Sequence, residues 1–278
     1  MNKTADKKRP PLSTLYRLSP AGHIIAAVSA ALILLHLLTR DDHALMVWVS
    51  ERLVRPVHRA LAVLNDHLPL SVAELLIGLA VIAVLIYIIY TIIKLIRCGG
   101  RLKRLYAAVI NLLAAGLAVY AGFCMLWGVY YYGDDFMTRS GLKNDNISVE
   151  QLETVTEYFA ALVNEYSSQV PRDADGNYVA DRDAILRRSN EVYANVEETL
   201  PCLSGPAVRA KGVYFSRVMS YTDFTGFFFP FTAEANVNTD FPPALFASTV
   251  AHELAHQRGV AKEQEANFAA VLASLEYG

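Results

Sequence analysis

Apolar residues along this chain form three kinds of pattern. Long unbroken runs cover residues 21–39, 75–93 and 105–133, none of them containing an acid, a lysine or an arginine. Such runs are apolar on every side of a helix and reach across the roughly 30 Å hydrocarbon core of a bilayer, so they predict three transmembrane helices. Between the first two, Leu45, Trp48, Val49, Leu53, Val57, Leu61 and Leu64 recur at helical spacing. That spacing predicts an amphipathic helix on the outer membrane surface, bent at Pro56. Contact with lipid is its expected use, and a docking face for the C-terminal part is the alternative.

After residue 133 the pattern becomes that of a compact domain. Ser148 and Gln151 form a capping box ahead of a helix running to about residue 168, and a second helix is expected over 181–200, stopping at Pro201. Asp173 to Asn177 carries an EF-hand-like glycine in the wrong place, so a turn is expected rather than a calcium loop. Val213-Tyr214-Phe215 and the run from Gly226 to Phe231 are β-prone, and Pro230 makes the latter an edge strand. Phe241-Pro242-Pro243 opens a helix, with Asp240 as N-cap, that ends near Gly259, and another helix follows over 262–275. The fold class expected is mainly α: three transmembrane helices, then an extracytoplasmic α+β domain with a small edge-stranded sheet. The divisions are a basic tail (1–20), a membrane domain (21–133) and the outer domain (134–278).

Composition and charge give the membrane reading an orientation. Of 278 residues, 54% are hydrophobic and 19% charged, which is too apolar for an ordinary soluble domain. A net charge of −2 offers no footprint for nucleic acid. Lys3, Lys7, Lys8, Arg9 and Arg17 in the tail, and the turn over 97–104 with its four basic residues, place both on the cytoplasmic side. The chain is then a multi-pass plasma-membrane protein with its C-terminal domain outside. Arg40-Asp41-Asp42-His43 follows the first run where a cleaved signal would have small residues, so that span is kept. Trp127 and Tyr130 to Tyr132 suit an interfacial aromatic belt. Cys98, Cys124 and Cys202 are scattered, and His23, His36, His43, His58 and His67 build no second metal site. Asn146-Ile147-Ser148 is a glycosylation sequon, relevant only in a eukaryotic secretory host.

The candidate chemistry lies in His252-Glu253-Leu254-Ala255-His256. Histidines four apart sit about 40° apart around a helix, so both imidazoles leave one face and suit a tetrahedral Zn²⁺. Glu253 is placed to take a proton from a water on that ion, which is the H-E-x-x-H peptidase pattern. The surrounding helix is polar, which argues against an intramembrane protease. No histidine follows His256, so a carboxylate must complete the site. On an unbroken helix Glu263 would lie about 16 Å from His252, so a turn at Gly259 has to fold the last helix back. Glu263 shares a face with Ala266, Asn267, Ala270 and Ser274 and is the expected third ligand, with Asn267 orienting a histidine. Glu265, on the face of Phe268 and Leu272, which look like core, is expected to be a surface or helix-terminus acid, and is the alternative ligand. The stretch from Phe227 to Asn238 is read either as a small sheet flooring the domain or as a cleft wall whose free edge pairs with a peptide, two compatible readings. Phe229, Asn236 and Tyr221 are the candidate substrate-binding residues, and Tyr221 or Tyr214 the candidate oxyanion donor.

His252-Glu253-x-x-His256 followed by Glu263-x-x-x-Asn267 resembles the gluzincin arrangement. More narrowly, Phe227 to Thr232, Glu234 to Asn238, His252 to Gly259 and Glu265 to Phe268 are similar to a family of bacterial membrane proteins with a presumed zinc-peptidase domain. The glutamate follows the second histidine unusually soon for a gluzincin, and asparagine stands where aspartate is commoner. The resemblance implies a zincin-like fold. The function expected is therefore a membrane-anchored, zinc-dependent endopeptidase acting on peptide or protein substrates. The alternative is a non-catalytic membrane sensor or assembly protein with a structural or vestigial metal site.

Overall fold

The computed structural model describes residues 15–142 and 147–277, so the tail before residue 15 and Asn146 of the sequon lie outside the described residues. The chain is mainly helical, with three helices long and apolar enough to cross a membrane and a three-stranded sheet. In chain order the helices are α1 (Pro20–Thr39), α2 (His43–Val49), α3 (Arg55–Asp66), α4 (Val72–Arg97), α5 (Arg101–Leu126), α6 (Phe136–Ser140), α7 (Val149–Ser167), α8 (Arg182–Arg188), α9 (Val196–Thr199), α10 (Ser216–Ser220), α11 (Pro243–Gln257) and α12 (Glu263–Glu276). The strands are β1 (Lys211–Val213), β2 (Gly226–Phe229) and β3 (Glu234–Asn238). Two compact units result: residues up to Asp41 with Leu75–Gly128, and Asp42–Glu74 with Val129–Gly278.

In the first unit α1 packs on α5 through buried Gly22 and Ser29 on one side and Ala108, Ala114 and Ala121 on the other. Lipid offers no hydrophobic drive between helices, so close approach and hydrogen bonds hold them. A side chain at Gly22 would overlap Asn111 and Ser19, which are themselves hydrogen-bonded. Asn111 Nδ2 also donates to the Tyr87 hydroxyl at 2.8 Å, and His23 Nε2 lies 2.9 Å from the Tyr106 hydroxyl. The third apolar run is shorter as a helix than expected. It stops at Leu126, and a 3₁₀ turn follows over Gly128–Tyr131.

In the second unit the strand order is β1-β3-β2, with β1 parallel and β2 antiparallel to β3. The central strand, Glu-Ala-Asn-Val-Asn, is buried along its whole length. Ala235 and Val237 face a core containing Phe136, Tyr193, Phe246, Val250 and Leu254. The polar residues alternate to the other side and are all bonded. Glu234 pairs with Lys211 at 2.7 Å and accepts the N–H groups of Val72 and Ala73. Asn236 accepts from Ser71 at 2.6 Å, and Asn238 donates to Phe224 O and Ser220 Oγ. Glu74 in turn accepts from Tyr214 N and Phe215 N. The segment from Asp42 to Glu74, counted with the membrane half by sequence, therefore covers one face of the sheet.

Several expectations change here. The amphipathic segment passes through a π-helical turn over Ser50–Val54, and Pro56 sits in the first turn of α3. Tyr130 joins no aromatic belt: it is buried, stacked on His58 at 6.0 Å and lying against Gly259. The helix expected over 181–200 breaks at Ser189, whose hydroxyl donates to Leu186 O and accepts from Ala210 N. β1 begins earlier than expected and leaves Tyr214 and Phe215 exposed. Asp240 does not cap α11; its N–H is taken by Asn238 Oδ1, and Pro242 holds the cap position. Both bonds of the Ser148–Gln151 capping box are present, and Asp173 to Asn177 closes as a turn on the Asp173 carboxylate.

Two buried groups make the stability of this unit testable. Removing one partner of a buried ion pair strands the other charge, at a cost of about 3–5 kcal/mol. E234A should lower the urea midpoint accordingly, and E234A/K211M should recover most of the loss. Burial also pushes the His58 imidazole down to about 4 from the ordinary 6.5, against an opposing hydrogen bond to Pro230. Between those pH values the unfolded chain takes up a proton that the folded chain refuses. Unfolding free energy should therefore fall as pH drops through that window, by about 3 kcal/mol from this residue. H58Q should flatten that part of the pH–stability curve.

Candidate metal centre

Helix α11 presents His252 and His256 one turn apart, their rings perpendicular with centroids 4.6 Å apart. The chain then reverses at once. Gly259 takes φ +80°, a left-handed conformation costly for any residue with a Cβ, and its N–H closes on His256 O. Four residues later α12 starts and runs back along α11. Ala251 and Ala255 on one helix and Ala266, Ala269, Ala270 and Ala273 on the other are buried, so the backbones approach closely.

That reversal brings the Glu263 carboxylate to both rings: Oε2 is 3.1 Å from His252 Nε2 and Oε1 is 3.6 Å from His256 Nε2. One ligand atom from each of the three residues falls within 4.8 Å of the others. The far side of each ring is also engaged. His252 Nδ1 lies 2.8 Å from Asn267 Oδ1, and His256 Nδ1 lies 2.7 Å from Val260 O. Both partners are acceptors, so each Nδ1 carries the proton and each Nε2 of a neutral ring points a lone pair at Glu263. Burial favours the neutral form of His256. Two lone pairs facing a carboxylate repel it unless a cation or proton lies between them. Two nitrogens and a carboxylate oxygen this close together could hold a metal ion.

Glu253 supplies a second test of fit. It is buried, its Oε2 has no hydrogen-bond partner among the described residues, and burial, with the nearby Glu263 charge, pushes its carboxyl up to about 8. An unbonded buried oxygen costs about 1–3 kcal/mol unless a water, an ion or a ligand meets it. Its room comes from Gly226 of β2, where a Cβ would stand 2.7 Å from Glu253 Cγ and Oε1.

The groups around the helix hold its position. Arg55 donates to Arg258 O at 2.8 Å and Arg139 to Gly259 O at 3.0 Å, so two arginines take the carbonyls of the bend that follows α11. Tyr193 OH donates to Ala251 O at 2.8 Å. Beside His252 and Glu263 opens a cleft of about 690 Å³. Thr225, Ser248, Thr249, Asn267, Ala270, Val271, Ser274 and Leu275 complete its wall, none of them ionisable. β2 is paired to β3 on one side only, among the described residues.

The structure brings His252, His256, Glu263, Glu253 and Asn267 together and sets other candidates elsewhere. Glu265 points away: it is buried, accepts from Phe136 N at 2.9 Å and lies 3.9 Å from Lys262 Nζ. Its presumed core neighbour Phe268 is 44% exposed. Asn236 is fully buried in bonds to Ser71 and Glu234 O, so it cannot meet a substrate. Tyr221 and Tyr214 are exposed to 82% and 87% and do not line the cleft. Phe229 is half-buried, its ring 5.3 Å from that of Phe231. Gly226, Thr225 and the small face of α12 were missed as site residues. The polar Ser248-Thr249 pair one turn before His252 was the available signal for the cleft.

Among known proteins, no curated relative and no solved structure matches this chain. One family model does, over residues 50–277, from the interspan segment through the histidine and glutamate helices. With well over half its length matched, the chain belongs to the family described as "Protein of unknown function (DUF3810)".

Proposed function

We propose that this protein is a membrane-anchored, zinc-dependent endopeptidase with a gluzincin-like site, its C-terminal domain outside the cytoplasm and its N-terminus within. The observation that carries the reading is the convergence of two Nε2 lone pairs and the Glu263 carboxylate beside a buried Glu253 with an unbonded oxygen. The basic turn over 97–104 between two apolar spans supports the orientation.

A bound Zn²⁺ supplies a water of pKa near about 7 and a Lewis acid for the peptide carbonyl. The chain does the rest. Asn267 and the Val260 carbonyl hold both imidazoles in the tautomer that leaves Nε2 unprotonated. Glu253 accepts the water's proton on its unbonded oxygen and passes it to the leaving nitrogen. A divalent cation beside Glu253 opposes both causes of its raised pKa, so the carboxylate form is available at neutral pH. The free edge of β2 pairs with an extended peptide, and the uncharged wall beside His252 receives a small or apolar side chain.

The rival reading, a structural metal site in a sensor or assembly protein, draws on one observation: neither Tyr214 nor Tyr221 reaches the cleft as an oxyanion donor. It leaves the buried, unbonded Glu253 carboxyl without a purpose.

The purified full-length protein should carry about one zinc per chain, and H256A and E263A should lose it. E253Q should keep the metal while peptide hydrolysis falls by about 10²–10⁴-fold. Hydrolysis undiminished in E253Q, or no stoichiometric metal in the parent, sinks the proposal. G226A should also keep the metal, and it should cut turnover at least about tenfold by displacing the Glu253 carboxylate.

A further inference from the structure

Helix α3 is turned inside out. The side facing the rest of its unit carries buried His58, Ala62 and Asn65. Asn65 donates to Thr232 O and Arg55 to Arg258 O, both at 2.8 Å. At 100° per residue, Leu53, Pro56, Val57, Ala60, Val63 and Leu64 fall within an arc of about 120° centred opposite His58. All six are exposed, Leu64 to 64%. Trp48 on α2 is exposed to 54%, and exposed Arg52 flanks the arc. A helix in water puts its apolar side in and its polar side out. This one does the reverse, so its outward neighbour is apolar.

The chain itself says which apolar neighbour. Only residues 40–42 separate α1 from α2, and only residues 67–71 separate α3 from α4. At about 3.3–3.6 Å per residue those linkers reach no more than about 11 Å and 18 Å. Both lead into helices long and apolar enough to cross a membrane, so the segment is tethered at each end close to a bilayer edge. A continuous apolar arc flanked by arginine is the make-up of a helix lying at the headgroup–acyl boundary.

We propose that Trp48, Leu53, Val57, Val63 and Leu64 form a lipid-contact face belonging to the C-terminal unit. The inference concerns a surface and does not rest on the metal-site reading.

The test uses the full-length protein in phosphatidylcholine vesicles whose acyl chains carry bromine either near the headgroup or near the chain end. The emission difference between the parent and W48F isolates Trp48 without disturbing Trp127. Bromine near the headgroup should reduce that difference about twofold, and bromine near the chain end should reduce it less. W48F/L64W, which places the reporter at an exposed site on α3, should respond in the same way. Emission quenched by aqueous iodide but not by either lipid overturns the proposal. Shielding from lipid and iodide alike also overturns it, because another protein surface then covers the face.

Discussion

A carboxylate can join two imidazoles on a neighbouring helical turn only if the chain doubles back within a few residues, and α12 does so after Gly259. The doubling back has three requirements, and each is met by particular residues. The left-handed φ at Gly259 is free of a Cβ penalty. The inner faces of α11 and α12 are alanine, so the axes approach closely enough for a glutamate to reach. The exposed carbonyls at the bend are taken by Arg55 and Arg139. Without the bend Glu263 is a surface acid about 16 Å away; with it, the residue faces two lone pairs.

The same bend explains why a segment between two membrane-length helices belongs to the C-terminal unit. Arg55 comes from that segment, and so do Ser71 and the Val72 and Ala73 N–H groups that satisfy Asn236 and Glu234. A central strand with polar residues on one face cannot be buried unless each finds a partner. The partners lie some 160 residues earlier in the chain. The sheet that provides Gly226 beside Glu253, and the helix that carries the histidines, are thus completed by residues preceding the second span. This dependence accords with a family match that begins at residue 50, inside the segment, and not at the C-terminal domain.

What could be read from sequence follows from how local each determinant is. The apolar runs, the capping box at Ser148, the turn at Gly259 and the pairing of Glu263 with Asn267 all depend on neighbours within about fifteen residues, where helical geometry sets what can meet. β3 was not legible, because Glu-Ala-Asn-Val-Asn has no strand propensity and owes its burial to distant partners. Glu265 looked like a surface acid or an alternative ligand, but its role is fixed by the Phe136 N–H, 129 residues away. Tyr130 looked interfacial from its aromatic neighbours and is buried because Gly259 and His58 leave a flat place for its ring. The outward face of α3 was legible as amphipathic; that its polar side is the buried one was not.

The most informative atom at the site is one that makes no bond. Glu253 sits between a strand that has given up a side chain at Gly226 and a helix whose two imidazoles are held by Asn267 and Val260. A fold under selection for stability alone would place leucine there, since a buried carboxyl with an unbonded oxygen costs free energy and returns none. The surrounding residues give the group space without giving it a partner. Holding an ion calls on His252, His256 and Glu263, not on Glu253. On the proposed reading, the room left for a further buried acid beside them serves a proton exchange with whatever is held at the open corner.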